Sequence, residues 1–278
     1  MKDKRKTVLR LVLPAAAMFL VWSLYASRCL PEVTEYTVSS PRLPEAFDGY
    51  RIVQLSDLHA REFGEGNRDL VEQVRALAPD LIALTGDYIE SEADIPITQS
   101  LVAQLTDIAP VYFSSGNHDW ASGAAPELRE AVEDAGGVWL SNESREVSRD
   151  GASILVAGVE DPNSYADMVR PDELLGRIDG DHPGSFILLL GHRNDWVTRY
   201  PDLPADVILC GHGHGGIIRL PAVGGLLGTD HRLFPEYDAG LFFSGRYVMV
   251  VSRGLGNNFW IPRLWNRPEI VCLTLRSE

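Results

Sequence analysis

The chain has 278 residues, and 45% of them are hydrophobic, which is enough apolar sequence for a substantial core. Its net charge is −14, but residues 1–28 carry six basic side chains and one acid, a local charge of +5 that leaves −19 for the rest of the chain. A body this acidic excludes a general nucleic-acid binder, which needs a cationic face.

The first 28 residues predict a membrane anchor. A basic stretch precedes an apolar run at residues 7–27, which only Arg10 and Pro14 interrupt. About 20 helical residues cross a bilayer, and Arg10 can extend to the headgroups. The alternative is a cleaved signal peptide, but Leu24 and Tyr25 stand where cleavage requires a small residue. The basic residues before the run predict an N-terminus in the cytoplasm and a body outside it.

Residues 29–48 predict a linker with one short strand at 35–38, and residues 49–278 predict a single α/β domain. In its first half, strand and helix patterns alternate, and Asn67 is expected to cap the first helix. The strands are expected at 51–56, 80–84 and 110–114, and the helices at 67–77, 97–106 and 126–134. In the second half the strands are expected at 153–157, 185–190, 206–210, 217–220, 247–252 and 269–275. This order predicts two packed sheets with helices outside.

Polar residues of the types that bind metals follow five of the predicted strands. The five segments are Asp57-Leu58-His59, Gly86-Asp87, Gly116-Asn117-His118-Asp119, Gly191-His192 and Gly211-His212-Gly213-His214. Each segment alone is more often a solvated loop or a cap than a site. Five of the seven histidines fall in these segments, however, and the carboxyl ends of parallel strands share one edge of a sheet. The set together predicts a metal site.

The residue types fit a site for two divalent ions. Asp57 and His59 are two residues apart on an extended segment, so both can face one ion. Asp87 can bridge two ions about 4 Å apart with its two oxygens. Asn117 offers a neutral amide oxygen, and neutral imidazoles come from His192, His212 and His214. Nitrogen and oxygen ligands without thiolate suit Mn²⁺, Zn²⁺ or Fe.

These motifs, in this order, resemble the calcineurin-like metallophosphoesterase superfamily from about residue 50 to the C-terminus. The stretches YRIVQLSDLHA, PRLPEAFDGY, LFPEYDAGLF and NRPEI resemble one bacterial branch of it. That branch contains membrane- and wall-associated phosphoesterases and proteins named UDP-diacylglucosamine pyrophosphatases. The resemblance implies a single-pass protein of the bacterial cytoplasmic membrane. It also implies a four-layer α/β/β/α sandwich of two mixed sheets.

The resemblance also implies a role for each motif residue. One ion would be bound by Asp57, His59, Asp87 and His214. The other would be bound by Asp87, Asn117, His192 and His212. His118 would bind no metal but would stabilise or protonate the transition state, oriented by Asp119. Where the branch commonly has Gly-Gly-Gln, this chain has Ile217 in place of the Gln. Arg193, which follows His192, is either a phosphate ligand or a surface arginine.

Two classes of function fit the sequence. The first is a dinuclear hydrolase of phosphoester or pyrophosphate bonds, acting on an envelope lipid, a nucleotide-sugar lipid or a wall polymer. The second is a membrane-anchored module that binds phosphate or protein without catalysis. A metallopeptidase is disfavoured because no H-E-x-x-H motif is present. The segment 257–265, NNFWIPRLW, fits either a packed loop or an apolar lip that contacts a membrane or an acyl chain.

Overall fold

Two six-stranded mixed sheets lie at the centre of this computed structural model, which describes residues 2–258 and 260–278, with the side chains of residues 2–11, 166 and 167 excepted. The strands are β1 (Glu32–Ser40), β2 (Arg51–Leu55), β3 (Leu81–Thr85), β4 (Val111–Ser114), β5 (Val138–Trp139), β6 (Glu143–Arg149), β7 (Ala152–Gly158), β8 (Ile187–Leu190), β9 (Val207–Cys210), β10 (Arg219–Leu220), β11 (Gly224–Gly225), β12 (Gly240–Phe243), β13 (Val248–Val251) and β14 (Glu269–Ser277). The helices are α1 (Lys2–Cys29), α2 (Arg68–Ala76), α3 (Ile95–Thr106), α4 (Asn117–Ala121), α5 (Ala125–Asp134), α6 (Pro171–Asp181) and α7 (Trp196–Arg199).

The strands that precede the five motifs run parallel within each sheet. The first sheet has the order β1-β14-β2-β3-β4-β5, and β2 through β5 are parallel. The second has the order β12-β13-β9-β8-β7-β6, and β7, β8, β9 and β13 are parallel. Parallel strands align their carboxyl ends, so each sheet presents its motif loops on one edge.

Alternating side chains divide the core into three apolar layers. In β8, Leu188 and Leu190 face the first sheet, whereas Ile187 and Leu189 face α6 and α7. The outer face of the first sheet packs in the same way against α2, α3 and α5. Because successive strand residues point to opposite faces, each apolar strand serves two layers at once. The predicted four-layer α/β/β/α sandwich is confirmed.

Two local predictions differ from the structure, and the sequence did not predict β6. The strand expected at 217–220 is the two-residue β10, which pairs with β11 outside both large sheets. β6, whose sequence is ESREVSR, lacks an apolar face because it is an exposed edge strand. Asn67 does not cap α2 with its side chain: its φ is 64°, and its Oδ1 instead accepts a hydrogen bond from the backbone N–H of Phe63 at 3.1 Å.

The strand expected at 35–38 is longer than its sequence pattern indicated. β1 covers nine residues and pairs in parallel with β14, from Glu32 opposite Glu269 to Ser40 opposite Ser277. Val38 is buried, and the Ser40 hydroxyl donates to Asp206 at 2.9 Å. The segment 29–48 thus contributes the edge strand of the first sheet.

The helix α1 is long and apolar enough to cross a membrane. Its window Val12–Cys29 has a mean hydropathy of 1.4, and only Ser23, Ala26 and Ser27 of that window are buried. The buried residues lie near the C-terminal end of the helix, where it contacts the body of the protein. The exposed part of the helix precedes them.

Removing β1 should weaken the fold much more than removing α1. We expect a chain that begins at residue 30 to fold, because both sheets remain complete. A chain that begins at residue 42 should lose several kcal/mol of unfolding free energy, because about 0.5–1.5 kcal/mol disappears with each lost backbone hydrogen bond. It should also aggregate through the exposed edge of β14. Denaturant unfolding and light scattering measure both effects, and equal behaviour of the two chains would show that β1 is dispensable.

Candidate active site and metal centre

The five motif loops meet where the carboxyl edges of the two sheets adjoin. Backbone hydrogen bonds join the loops: Asp57 N–H donates to Gly86 O at 2.9 Å, and His59 N–H donates to Asp87 O at 3.0 Å. In the second sheet, Gly211 N–H donates to His192 O at 2.9 Å. Asp57 also joins the two sheets, because its carboxylate accepts the N–H of His212 at 3.1 Å. The loops are therefore held together by the backbone before any ligand is considered.

Glycine is required where these loops approach each other. Gly86 has a φ of +81°, and a Cβ there would lie 2.6 Å from the backbone of Gly116. A Cβ on Gly211 would lie 2.2 Å from an oxygen of Asp57. Side chains at these positions would push the motif residues apart, so the glycines permit the convergence.

Five of the seven candidate ligands have a positive φ, which is uncommon for residues other than glycine. They are Asp57 (51°), His59 (48°), Asp87 (61°), His212 (64°) and His214 (46°). Backbone conformations of this kind cost on the order of 1–3 kcal/mol each and concentrate at functional sites. Here they turn each side chain inward, toward the other loops.

One group of candidate ligands consists of Asp57, His59, Asp87 and His214. Each residue places one ligand atom within 4.8 Å of the ligand atoms of the others, and all four residues are buried. His59 Nε2 lies 3.2 Å from His214 Nε2, and His214 Nε2 lies 3.4 Å from Asp57 Oδ1. Two ring nitrogens and two carboxylates that face one point could hold a cation.

A second group shares Asp87 with the first and adds His192 and His212. The Nδ1 of His192 donates to the carbonyl of Thr85 at 2.8 Å, which directs Nε2 toward Asp87 Oδ2 at 3.0 Å. Around this point the buried Asn117 Oδ1 has no hydrogen-bond partner among the described residues, and the buried Asp87 Oδ2 and His192 Nε2 contact each other without well-formed hydrogen-bond geometry. Buried acceptors are rarely left without a partner, so this geometry fits a second cation.

The electrostatics of the site call for added positive charge. Burial raises the pKa of Asp57. Burial also opposes a charge on His192, but neighbouring Asp87 outweighs it and raises the pKa of His192 to about 10. Burial lowers the pKa values of His212 and His214 and keeps them neutral, as a metal ligand must be. Divalent cations would neutralise both carboxylates at this point.

His118 lies beside the first group, at the open side of the site. Its side chain is 31% exposed, and its Nδ1 lies 3.0 Å from Glu90 Oε2. The other oxygen of Glu90 contacts Nδ1 of His59. The hydrogen bond to Glu90 raises the pKa of His118. Burial would raise the pKa of Glu90, but its bonds to His118 and His59 prevail and lower it to about 2.

Asp119 does not orient His118, and that expectation is corrected. Its carboxylate is fully buried and accepts four backbone N–H groups. The donors and distances are Asp87 (2.9 Å), Tyr88 (2.7 Å), Ile89 (3.1 Å) and Gly116 (2.8 Å). Asp119 follows His118 in a helical turn, so its side chain points to the opposite side and fixes the loop that carries Asp87.

Arg193 lies at the cleft but is already paired. Its Nε and Nη2 bind the carboxylate of Asp161 at 2.6 and 3.0 Å, and that carboxylate is fully buried. Its Nη1 lies 3.4 Å from His212 Nε2. Arg193 is therefore a fixed arginine at the edge of the site, with one nitrogen directed toward it.

Sequence reasoning missed four residues next to the site. They are Glu90, Asn258, Arg263 and Asn266. Glu90 stands three residues after Asp87, but an acid in a loop has no distinctive pattern. Asn258 Nδ2 lies 3.0 Å from His118 Nε2, and Asn266 Nδ2 donates to the His214 carbonyl at 2.8 Å. The latter three belong to segments that only the fold brings to the site.

Comparisons with known proteins agree with this geometry. A family model described as calcineurin-like phosphoesterase matches residues 50–216. The chain is 30% identical to the metallophosphoesterase YkuE of Bacillus subtilis, over 92% of this chain and 89% of that protein. It is 30% identical to the phosphodiesterase YaeI of Escherichia coli, over 81% of this chain and 82% of that protein. It is 26% identical to the UDP-2,3-diacylglucosamine pyrophosphatase LpxG of Chlamydia muridarum, over 95% of both.

The chain belongs to the calcineurin-like phosphoesterase family. It is a metallophosphoesterase, a hydrolase of phosphoester-type bonds. The family implies a dinuclear site for divalent metal ions, and the two residue groups that share Asp87 could bind them.

Replacing Glu90 by Gln should lower the pKa of His118, because the carboxylate that stabilises its protonated form becomes a neutral amide. His118 should then lose its proton at a lower pH than in the unchanged protein. An activity that needs this proton should therefore also decline at a lower pH. NMR titration of the histidine ring protons and a pH–rate profile measure the shift. Glu92→Gln, an exposed change two residues away, is the matched control, and an unshifted His118 titration in Glu90→Gln would contradict the assignment.

Proposed function

We propose that this chain is a dinuclear metal-dependent hydrolase whose two ions share Asp87. Asp57, His59 and His214 complete one ion site, and Asn117, His192 and His212 complete the other. The observation that supports this most directly is the convergence of three buried atoms on one point: Asn117 Oδ1, which has no hydrogen-bond partner among the described residues, and Asp87 Oδ2 and His192 Nε2, which lie 3.0 Å apart. The ligand set contains nitrogen and oxygen only, which suits Mn²⁺, Zn²⁺ or Fe.

The residues of the cleft have separate tasks in this proposal. The cleft has a volume of ≈ 310 Å³ and is lined by four of the candidate ligands, Asp87, Asn117, His212 and His214, together with His118, Arg193 and Asn258. Two bound divalent ions supply polarisation of the phosphoryl group and activation of water. His118, whose pKa is raised by its hydrogen bond to Glu90, donates a proton to the leaving oxygen. The free edge of the Arg193 guanidinium orients a substrate oxygen.

The substrate that we propose is a phosphoester or pyrophosphate on a membrane lipid, a nucleotide-sugar lipid or a wall polymer. Support comes from α1, whose apolar part could cross a membrane, and from the likeness to a pyrophosphatase of UDP-2,3-diacylglucosamine. The end of α1 also lies close to the site: Asn266 N–H donates to the Ser27 hydroxyl at 3.2 Å, and the Asn266 side chain binds the carbonyl of His214.

The helix and its charges suggest how the protein is placed in the membrane. One N-terminal apolar helix indicates a membrane protein. Its basic residues precede the apolar run, which favours an N-terminus in the cytoplasm and a catalytic domain on the opposite side of a bacterial cytoplasmic membrane. On this arrangement α1 holds the site close to the lipid surface.

Replacing Asp87 by Asn should remove the charge between the two ions while keeping the size of the side chain. We expect at least one metal ion per chain to be lost, together with nearly all activity, because an amide oxygen cannot offset the repulsion between two cations. Elemental analysis and turnover of an artificial phosphodiester measure this. Asp134→Asn, an exposed change at the end of α5, should behave as the unchanged chain, and two metals with normal turnover in Asp87→Asn would exclude Asp87 as the bridge.

Replacing His118 by Ala should leave both metals bound and reduce the rate by on the order of 10²–10⁴-fold. The loss should be smaller for a nitrophenyl ester than for an alkyl ester, because an acidic leaving group needs no proton. Parallel assays of the two esters, with metal analysis, provide the comparison, and His182→Ala is the control for loss of an exposed histidine. Equal losses would assign His118 to charge stabilisation. Loss of metal would make it a ligand, and an inactive unchanged chain with both metals bound would favour a binding module.

A further inference from the structure

A second cavity, larger than the metal cleft, lies between the C-terminal end of α1 and the loop that follows β13. Its volume is ≈ 440 Å³. Leu24, Ser27 and Arg28 line it from one face of α1, at the spacing of residues that share a helix face. The opposite wall is formed by Arg61, Leu255, Gly256, Asn257, Trp260, Pro262 and Arg263. Among the described residues none lines both this cavity and the metal cleft, so the two are separate sites.

Three arginines line this cavity: Arg28, Arg61 and Arg263. Among the residues whose side chains the structure describes, none of the three forms an ion pair with a carboxylate, although the chain has 39 acidic residues. Arg263 is 4% exposed, and its Nη1 and Nη2 donate to the carbonyls of Gly254 and Arg253. The Nε atoms of Arg61 and Arg263 are buried and have no hydrogen-bond partner among the described residues. A buried positive charge without a counter-ion is costly, so this wall favours an anion.

Exposed aromatic residues indicate the level of the membrane surface beside the cavity. Trp22 and Tyr25 on α1 are each 56% exposed, and Trp260 on the cavity wall is 86% exposed. Trp and Tyr collect at the boundary between lipid and water, and Trp260 therefore favours the membrane-contacting lip over the packed loop. Phe259, which belongs to the same segment, lies outside the described residues. Arg28 stands one helical turn beyond Leu24, at headgroup depth.

We propose that this cavity binds the phosphate of an anionic phospholipid of the membrane that α1 crosses. Arg28 and Arg61 contact the phosphate, and Arg263 supplies positive charge from the buried wall. The acyl chains extend along Leu24 and the exposed face of α1 toward the bilayer. The lipid is bound without being cleaved, because the metal cleft lies on the other side of the segment that carries Asn257 and Asn258.

The test uses the full chain in detergent, titrated with phosphatidylglycerol, phosphatidylcholine or inorganic phosphate and observed by native mass spectrometry. We expect phosphatidylglycerol to be retained in preference to the other two. The double variant Arg28→Gln, Arg61→Gln should weaken this binding about tenfold or more, since charge-assisted phosphate contacts are lost. Both changes lie outside the apolar core, whereas Arg263 lies 3.3 Å from His214 and is left unchanged.

Two controls separate this site from the metal centre and from general charge effects. Arg246→Gln removes an exposed arginine in the turn before β13, at the end of that strand opposite the cavity loop, and should leave lipid binding unchanged. Asp87→Asn should also retain the lipid, because the metal cleft takes no part in binding it. Equal retention of the two lipids, a preference for inorganic phosphate, or loss of lipid in Asp87→Asn would each overturn the proposal.

Discussion

The fold of this protein brings two buried carboxylates, Asp57 and Asp87, to the line where its two sheets adjoin. The surrounding structure has to compensate the negative charge of these two groups. A buried carboxylate without compensation is costly, and protonated histidines or bound cations are the means of compensation that the site contains or can accept. Burial keeps His212 and His214 neutral, and a protonated His192 would offset only one of the two carboxylates, so cations supply the remaining counter-charge. Directing these groups toward one another requires unfavourable left-handed backbone conformations at the candidate ligands, and it requires glycines where the motif loops approach each other closely.

Glu90 connects this charged centre to His118, the residue that we expect to transfer a proton. Glu90 contacts His59 with one oxygen and His118 with the other, so a candidate ligand and the candidate acid share one carboxylate. Asp119 has the complementary task of fixing the Asp87 loop by accepting backbone N–H groups. Glu90 therefore contacts both a candidate ligand and the candidate proton donor, whereas Asp119 fixes the loop that carries Asp87.

The membrane helix is joined to this centre through a short path of hydrogen bonds. Ser27 at the end of α1 accepts from Asn266, and Asn266 holds the backbone of His214 and Ile217. An enzyme whose substrate lies in or on a bilayer gains from such a link, because the cleft stays within reach of the headgroups. Exposed aromatic residues and the arginine-lined cavity lie beside the same end of α1.

The sequence by itself determined where most of the strands lie along the chain, the packing of two sheets with helices outside, and the five polar segments that supply the candidate ligands. Each of these follows from a local pattern, in which apolar strands are followed by Gly, Asp, Asn and His. It did not determine the partner of His118, since Asp119 is adjacent in sequence but points away, whereas Glu90 reaches His118 only through the loop that follows β3. Nor did it reveal β1 in full, whose partner β14 lies at the other end of the chain. Asn258, Arg263 and Asn266 act across long sequence separations, and only the packing of the last segments against α1 and the motif loops decides what they contact.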